Sequence, residues 1–115
     1  MKIIETENAP KAIGTYSQAV KVNGFLFISG QIPLDPSTME LVEGIENQIN
    51  QVFENINQIL KADGMDFSNV VKLSVLLEDL SHFEKVNEIM ANIFSKPYPA
   101  RAAYEVSKLP KGSSV

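Results

Sequence analysis

The stretch AVKVNGFLFIS, residues 19–29, fixes how the first part of the chain folds. Asn23 and Gly24 stand between two short apolar runs, and this dipeptide favours a type I′ turn, whose two central residues need positive φ angles. We therefore predict a β-hairpin from about Ser17 to Ser29. The residues that follow, 30–39, contain two prolines and are predicted to form a loop.

The spacing of apolar residues changes downstream of this loop. Between about Ile45 and Ala62 they fall on one helical stripe, with Asn and Gln on the other face. Gly64 stands where a C′ glycine would end this helix. From Val70 to Leu77, apolar and polar residues then alternate, which predicts a strand.

A second helix is predicted after this strand. Ser81 would cap it and Glu84 would reach back to the cap, as in a capping box. Apolar residues from Phe83 to Phe94 form its buried stripe, and two prolines that follow end it. Residues 100–106 are predicted to form the last strand.

The order hairpin, helix, strand, helix, strand indicates an α+β domain, in which one sheet packs two helices on one face. The length of 115 residues suits a single domain that spans residues 1–115. If the strands also carry apolar residues on the free face of the sheet, neighbouring subunits are the obvious cover for that face.

Composition excludes several classes of function. The net charge of -4 gives no electrostatic footprint for nucleic acid and disfavours an anionic membrane surface. There is no cysteine, and the single histidine, His82, cannot complete the usual zinc ligand sets, so we predict a surface position without a role for it. Neither a dinucleotide fingerprint nor a P-loop motif occurs. With no signal peptide and no long apolar run, the cytoplasm is the expected compartment.

Arg101 is the candidate functional residue. It lies within an otherwise apolar predicted strand, after two prolines. Its planar guanidinium matches a carboxylate with two parallel hydrogen bonds, which indicates an anchor for a small carboxylate ligand. A salt bridge with Glu105, or with an acid on a neighbouring strand, is the alternative that the pattern leaves open.

Four stretches of the chain resemble the RidA family, which is also called YjgF. They are PARAAYEVSKLPK at residues 99–111, APKAIGTYSQA at 9–19, FISGQIP at 27–33 and FEKVNE at 83–88. They stand in the order and spacing of the family and cover essentially the whole chain. The chain is therefore similar to the enamine/imine deaminases.

The resemblance implies a chorismate-mutase-like α+β fold and a homotrimer, in which three sheets line a central barrel and substrate clefts lie between subunits. It implies hydrolysis of 2-aminoacrylate, 2-iminopropionate and related enamines or imines to 2-oxo acids and ammonia. It implies no cofactor and no metal. The expected partners are a small carboxylate-bearing imine or 2-oxo acid and two further copies of the chain.

The resemblance also implies which residues bind the substrate: Arg101, Tyr16, Ser29, Gly30, Asn87 and Ala103. Arg101 would be the catalytic residue that holds the carboxylate, and backbone groups around Ala103 would orient the attacking water. Tyr16 and Ser29 would contribute hydroxyls, and Gly30 would let the substrate approach the backbone closely. The helical asparagine would be either a secondary polar contact or a structural residue.

The chain departs from the family pattern at two places. Ala103 stands where members commonly carry a cysteine, but only the backbone is expected to act there. The family pattern also continues after LPK, residues 109–111, into a final strand with a glutamate that is thought to help activate the water. The sequence ends at Val115, so we expect a domain that lacks this strand, either as a truncated product or with an altered fold.

Two functions follow from these observations. The first is an imine deaminase. The second is a non-catalytic binding or regulatory protein for 2-oxo acids on the same fold, which the expected loss of the terminal glutamate favours. A third function, nuclease or translation inhibitor, is disfavoured because the acidic chain offers no basic patch.

Overall fold

The structure, a computed structural model, describes all residues from Met1 to Val115. Five strands and two α-helices follow one another as β1 (Lys2–Ile4), β2 (Ala19–Val22), β3 (Phe25–Ile28), α1 (Ile45–Ala62), β4 (Lys72–Leu77), α2 (Phe83–Ile93) and β5 (Ala100–Glu105). Neither α-helix has the length and apolar character that crossing a bilayer would require.

The predicted hairpin is confirmed. Asn23 and Gly24 have φ angles of 50° and 80°, and Val22 stands opposite Phe25 in the antiparallel pair of β2 and β3. Strand β1 was not predicted, because three residues carry too little periodicity to be identified. It pairs antiparallel with β2 and places Ile4 opposite Ala19.

The single mixed sheet of the prediction is observed as two sheets. Strands β1, β2 and β3 form an antiparallel sheet, and β4 and β5 form a parallel pair, while β3 and β4 are not hydrogen-bonded to each other. Helix α1 packs against both sheets. Ile59 belongs to one core cluster with Ile4 and Ala19, and Ile49 belongs to the other with Val75. Both sheets therefore turn the same side toward the helices.

The bounds predicted for helix α1 are confirmed, and Gly64, with φ 70°, ends it as a C′ glycine. The prediction that its amide residues form an outer polar face is wrong at two positions. Asn55 is fully buried and donates hydrogen bonds to the carbonyls of Ile32 and Leu34. Gln48 is also buried. These amides tie the loop after β3 to the helix.

The capping box predicted at Ser81 is wrong. A 3₁₀ turn, Leu80–His82, precedes α2, and the Asp79 carboxylate caps that turn by accepting the Ser81 backbone N–H at 2.9 Å. Helix α2 itself begins after His82, which makes no side-chain capping bond. Hydrogen bonds from the side chain and backbone of Ser81 lower the pKa of the Asp79 carboxyl. The contribution of this cap to stability is therefore present at neutral pH and lost in acid.

The sheet side that faces away from the helices is apolar and uncovered in one chain. Its exposed large side chains retain between 41% and 62% of their accessible surface, and they are Ile3, Val22, Phe25, Phe27, Leu76 and Tyr104. Large apolar side chains exposed in such numbers on one side of a sheet are typical of interaction surfaces in soluble proteins. The free face therefore carries the apolar residues on which the expectation of covering subunits depended, and we call these six residues the open face.

Candidate functional site

The Arg101 side chain leaves strand β5 and lies against helix α2. Its Nη1 donates to Asn87 Oδ1 at 2.9 Å and contacts Met90 Sδ at 3.6 Å. The guanidinium carbon stands 4.7 Å from the centre of the Phe83 ring, which is a cation–π geometry. These contacts orient the guanidinium without neutralising it.

No carboxylate pairs with Arg101. The two ion pairs of the chain join Lys21 to Asp63 and Lys85 to Glu88. Glu105, the candidate partner, instead accepts the backbone N–H of Leu80 at 3.0 Å. The salt-bridge explanation of Arg101 is therefore wrong within this chain. Its Nη2 and Nε groups remain free to donate to a carboxylate.

Ala103 lies on the same face of β5 as Arg101, two residues along. The backbone N–H groups of Ala100 and Val106 bond toward β4, at 2.9 and 2.8 Å. Because backbone groups of successive strand residues point to opposite edges, those of Arg101 and Ala103 point to the outer edge of β5. That edge pairs with no other strand. The backbone at Ala103 is therefore placed to hydrogen-bond a water or a ligand.

Three other predicted residues meet in a separate cavity of about 530 Å³. Tyr16, Ser29 and Gly30 all line it, whereas Arg101, Asn87 and Ala103 do not. The six predicted residues thus form two groups within one chain. We call them the arginine group and the hydroxyl group.

The two hydroxyls have complementary hydrogen-bonding roles. The Tyr16 oxygen accepts the Ile13 backbone N–H at 3.3 Å, so its own proton is free to be donated. The Ser29 hydroxyl donates to the Ser17 carbonyl at 2.6 Å, so it has lone pairs free to accept. These two hydroxyls therefore offer a ligand one donor and one acceptor.

Buried amides, which the sequence analysis did not identify as important, hold the walls of this cavity. The Gln18 side chain donates to the carbonyls of Thr6, Ala9 and Pro10 and accepts the Thr6 N–H. The Gln18 side chain is 4% exposed, so water cannot satisfy its polar atoms and these protein hydrogen bonds do so instead. Together with Asn55, it fixes the two loops that carry the hydroxyl group. An amide side chain has no sequence pattern that announces such a role.

Gly30 lines this cavity, although its backbone conformation does not require glycine. The absence of a side chain there leaves space for a ligand. Its φ lies outside the left-handed region, and a Cβ built there meets no atom within 4 Å. We expect Gly30→Phe to change the melting temperature little, since surface substitutions usually shift stability by within about 0.5 kcal/mol. Affinity for a small carboxylate ligand, and any activity that depends on binding it, should fall by at least about tenfold, because the ring occupies the cavity.

The control for Gly30→Phe is Gly64→Phe. Gly64 has φ 70°, so a side chain is strained there, and it lies outside the cavity. The control should lower the melting temperature without changing the ligand affinity of the folded protein. If Gly30→Phe, like the control, lowers only the melting temperature, Gly30 serves the stability of the fold and the hypothesis that it provides space for a ligand is wrong.

Comparison with known proteins decides the family. The sequence model described as "Endoribonuclease L-PSP" matches residues 6–115. The 2-iminobutanoate/2-iminopropanoate deaminase of Homo sapiens is 51% identical over 115 residues, which are 99% of this chain and 84% of the human protein. The chain belongs to the RidA (YjgF) family. The resemblance recognised in its four sequence blocks is thereby confirmed.

Solved structures of RidA proteins agree with the fold. RidA from the Antarctic bacterium Psychrobacter sp. superposes with a TM-score of 0.96 at 53% identity, over 99% of this chain and 93% of that one. Escherichia coli TdcF with bound serine superposes with a TM-score of 0.92 at 36% identity, over 99% of this chain and 92% of that one. The α+β architecture of this chain is therefore the RidA fold.

Proposed function

We propose that this protein hydrolyses reactive enamine and imine intermediates, such as 2-aminoacrylate and 2-iminopropanoate, to 2-oxo acids and ammonia. The observation that carries the proposal is a guanidinium, that of Arg101, which no carboxylate of the chain neutralises. The human and mouse relatives are both named 2-iminobutanoate/2-iminopropanoate deaminase, which supports the proposal. So does the serine bound to TdcF, because serine combines a small size with a carboxylate.

The proposed chemistry asks for positioning more than for strong acids or bases. An enamine such as 2-aminoacrylate first tautomerises to the imine, as one proton moves from its nitrogen to its terminal carbon. Arg101 holds the carboxylate, and a water bonded to the backbone at Ala103 adds to the electrophilic imine carbon. Tyr16 donates to the developing amine or hydroxyl, and Ser29 accepts from an N–H or from the water. The carbinolamine then collapses to a 2-oxo acid and ammonia. Positioning alone can lower such a barrier by several kcal/mol, up to roughly 7–11 kcal/mol in well-oriented systems.

We propose that the complete site forms between subunits of a homotrimer. The arginine group and the hydroxyl group do not share a cavity within one chain. The open face supplies apolar surface that association would cover. A ring of three copies repeats one heterologous interface, so each contact joins the arginine group of one copy to the hydroxyl group of the next.

One observation favours the non-catalytic alternative, a binder of 2-oxo acids. None of the residues that line the cavity is Asp or Glu, so no carboxylate of this chain is placed there to take a proton from water. An endoribonuclease activity, which the description of the matched family names, does not suit this chain, because a net charge of -4 opposes binding to phosphates.

Imine decay separates the two functions. 2-Aminoacrylate is generated from serine with a dehydratase, and its decay is followed with and without this protein. Faster decay in proportion to protein concentration supports the deaminase. Unchanged decay together with measurable binding of 2-oxobutanoate would favour the binder.

We further propose that a strand following Val115 would join the two sheets. Leu77 accepts a backbone bond from the β5 side, so the N–H of Glu78 points to the opposite edge of β4, where it donates to Ser114 at 3.1 Å. The tail therefore starts to pair with β4 on its free side. Strand β3 also has one edge without a partner. A continuation would satisfy both edges.

Extension of the chain tests this proposal. We expect an added strand of alternating apolar and polar residues to raise the melting temperature by at least about 5 °C, since about 1 kcal/mol corresponds to such a shift in a domain of this size. It should also strengthen self-association. A glycine-serine extension of equal length is the control. Equal melting temperatures for the two extensions would argue against a strand at this position.

A further inference from the structure

Two lysines give a positive charge to the cavity that the hydroxyl group lines. Lys11 and Lys111 both line it, and no acidic residue does. Neither takes part in the ion pairs of the chain, which use Lys21 and Lys85. A protein with a net charge of -4 thus places two unpaired cations on one cavity. A concave site lined by one sign of charge concentrates ions of the opposite sign.

Two residues that line the cavity have left-handed backbone conformations although neither is glycine. Three residues other than glycine have left-handed φ angles: Asn23, Met39 and Lys111. Asn23 belongs to the hairpin turn, where asparagine is favoured. The other two line the cavity. Glycine would remove the strain at position 111, so the lysine there indicates that its side chain is useful to the site.

We propose that Lys11 and Lys111 bind a second carboxylate of the substrate, so that the preferred substrates are 2-imino acids derived from amino acids with an acidic side chain. The inference rests on the proposed function, in which Arg101 takes the first carboxylate. The ammonium groups then meet the far end of the substrate from the cavity wall. A lysine ammonium is a mobile point charge and tolerates a side-chain carboxylate in several orientations.

The test compares two substrates on the full-length protein. One is 2-iminoglutarate, produced from glutamate by an oxidase, and the other is the imine of norvaline, which has a neutral side chain of similar length. Each imine is trapped with semicarbazide, and the loss of trapped product reports hydrolysis. We expect the wild-type kcat/KM to be at least about tenfold higher for 2-iminoglutarate, a preference equal to one hydrogen-bonded or ion-paired contact.

The variants are the double substitution Lys11→Gln with Lys111→Gln, and the control Lys96→Gln at an exposed lysine outside the cavity. The double variant should lose about tenfold in kcat/KM on 2-iminoglutarate and stay within about twofold on the norvaline imine. The control should change neither. A wild-type protein that prefers the neutral imine, or a double variant that loses both activities equally, would overturn the inference.

Binding separates a failure of this inference from a failure of the proposed function. Calorimetry with 2-oxoglutarate and 2-oxobutanoate needs no catalysis. If the protein hydrolyses neither these imines nor 2-aminoacrylate but binds 2-oxoglutarate more tightly, and only the double variant loses that difference, the proposed function is wrong and the lysine site stands. If both imines are hydrolysed and the double variant binds 2-oxoglutarate as tightly as the wild type, the deaminase stands and the lysine site is wrong.

Discussion

Arg101→Ala should lower kcat/KM for 2-aminoacrylate hydrolysis by about 100-fold or more. The proposed site between subunits would desolvate the pair of guanidinium and carboxylate, and truncating one member of such a pair costs roughly 2–5 kcal/mol. The guanidinium has no acidic partner within the chain, so the free energy lost on truncation is that of its interaction with the ligand carboxylate. Affinity for a 2-oxo acid should fall together with turnover. The measurement is imine decay at several substrate concentrations, with product binding measured by calorimetry.

Two controls make this result specific. Arg101→Lys keeps the charge but loses the planar pair of donors, so it should recover only part of the activity. The melting temperature of Arg101→Ala should change little, because the side chain is exposed and its contact with Phe83 is worth about 0.5–1 kcal/mol. Retention of activity within about threefold would remove Arg101 from the site.

Phe27→Glu should dissociate the oligomer and abolish most of the activity. Phe27 is 58% exposed on the open face, beside Phe25 and across the pair from Val20. In a ring of three copies the substitution places three carboxylates on surface that association would bury, and an unpaired buried charge costs several kcal/mol. Turnover should fall by about 100-fold, because each complete site needs two copies.

The oligomeric state is measured by light scattering on a size-exclusion column. The control is Leu80→Glu, which adds the same charge at a residue that is 44% exposed and lies in the turn before α2, off the sheet. It should leave both mass and activity unchanged. A Phe27→Glu protein with the mass of a single chain and full activity would show that one chain holds a complete site.

Local signals explain why much of the fold was predictable. Asn23 and Gly24 favour one turn geometry, which predicts the hairpin. The apolar stripe of α1 continues to the last turn of the helix, and Gly64 follows it. Both elements could therefore be predicted from neighbouring residues alone. Strand β1 and the separation into two sheets depend on pairing between distant segments. The cap at Asp79 displaced the predicted one because a 3₁₀ turn precedes the helix.

The site was predictable only in part, because it too depends on contacts between distant segments of the chain. The position of Arg101 in an apolar strand drew attention to it, but the sequence left an ion pair with Glu105 open. The choice depended on tertiary contacts, since Glu105 bonds to Leu80 instead. Lys11 and Lys111 lie at opposite ends of the chain, and only the folded structure shows that they line one cavity.

Mixing of inactive subunits tests the shared site most directly. Arg101→Ala and Gly30→Phe chains with different tags are co-expressed, and complexes that carry both tags are purified. In such a trimer one interface joins an intact arginine group to an intact hydroxyl group, so we expect about one third of the wild-type activity. Complexes no more active than the two parent variants would contradict a site shared between subunits.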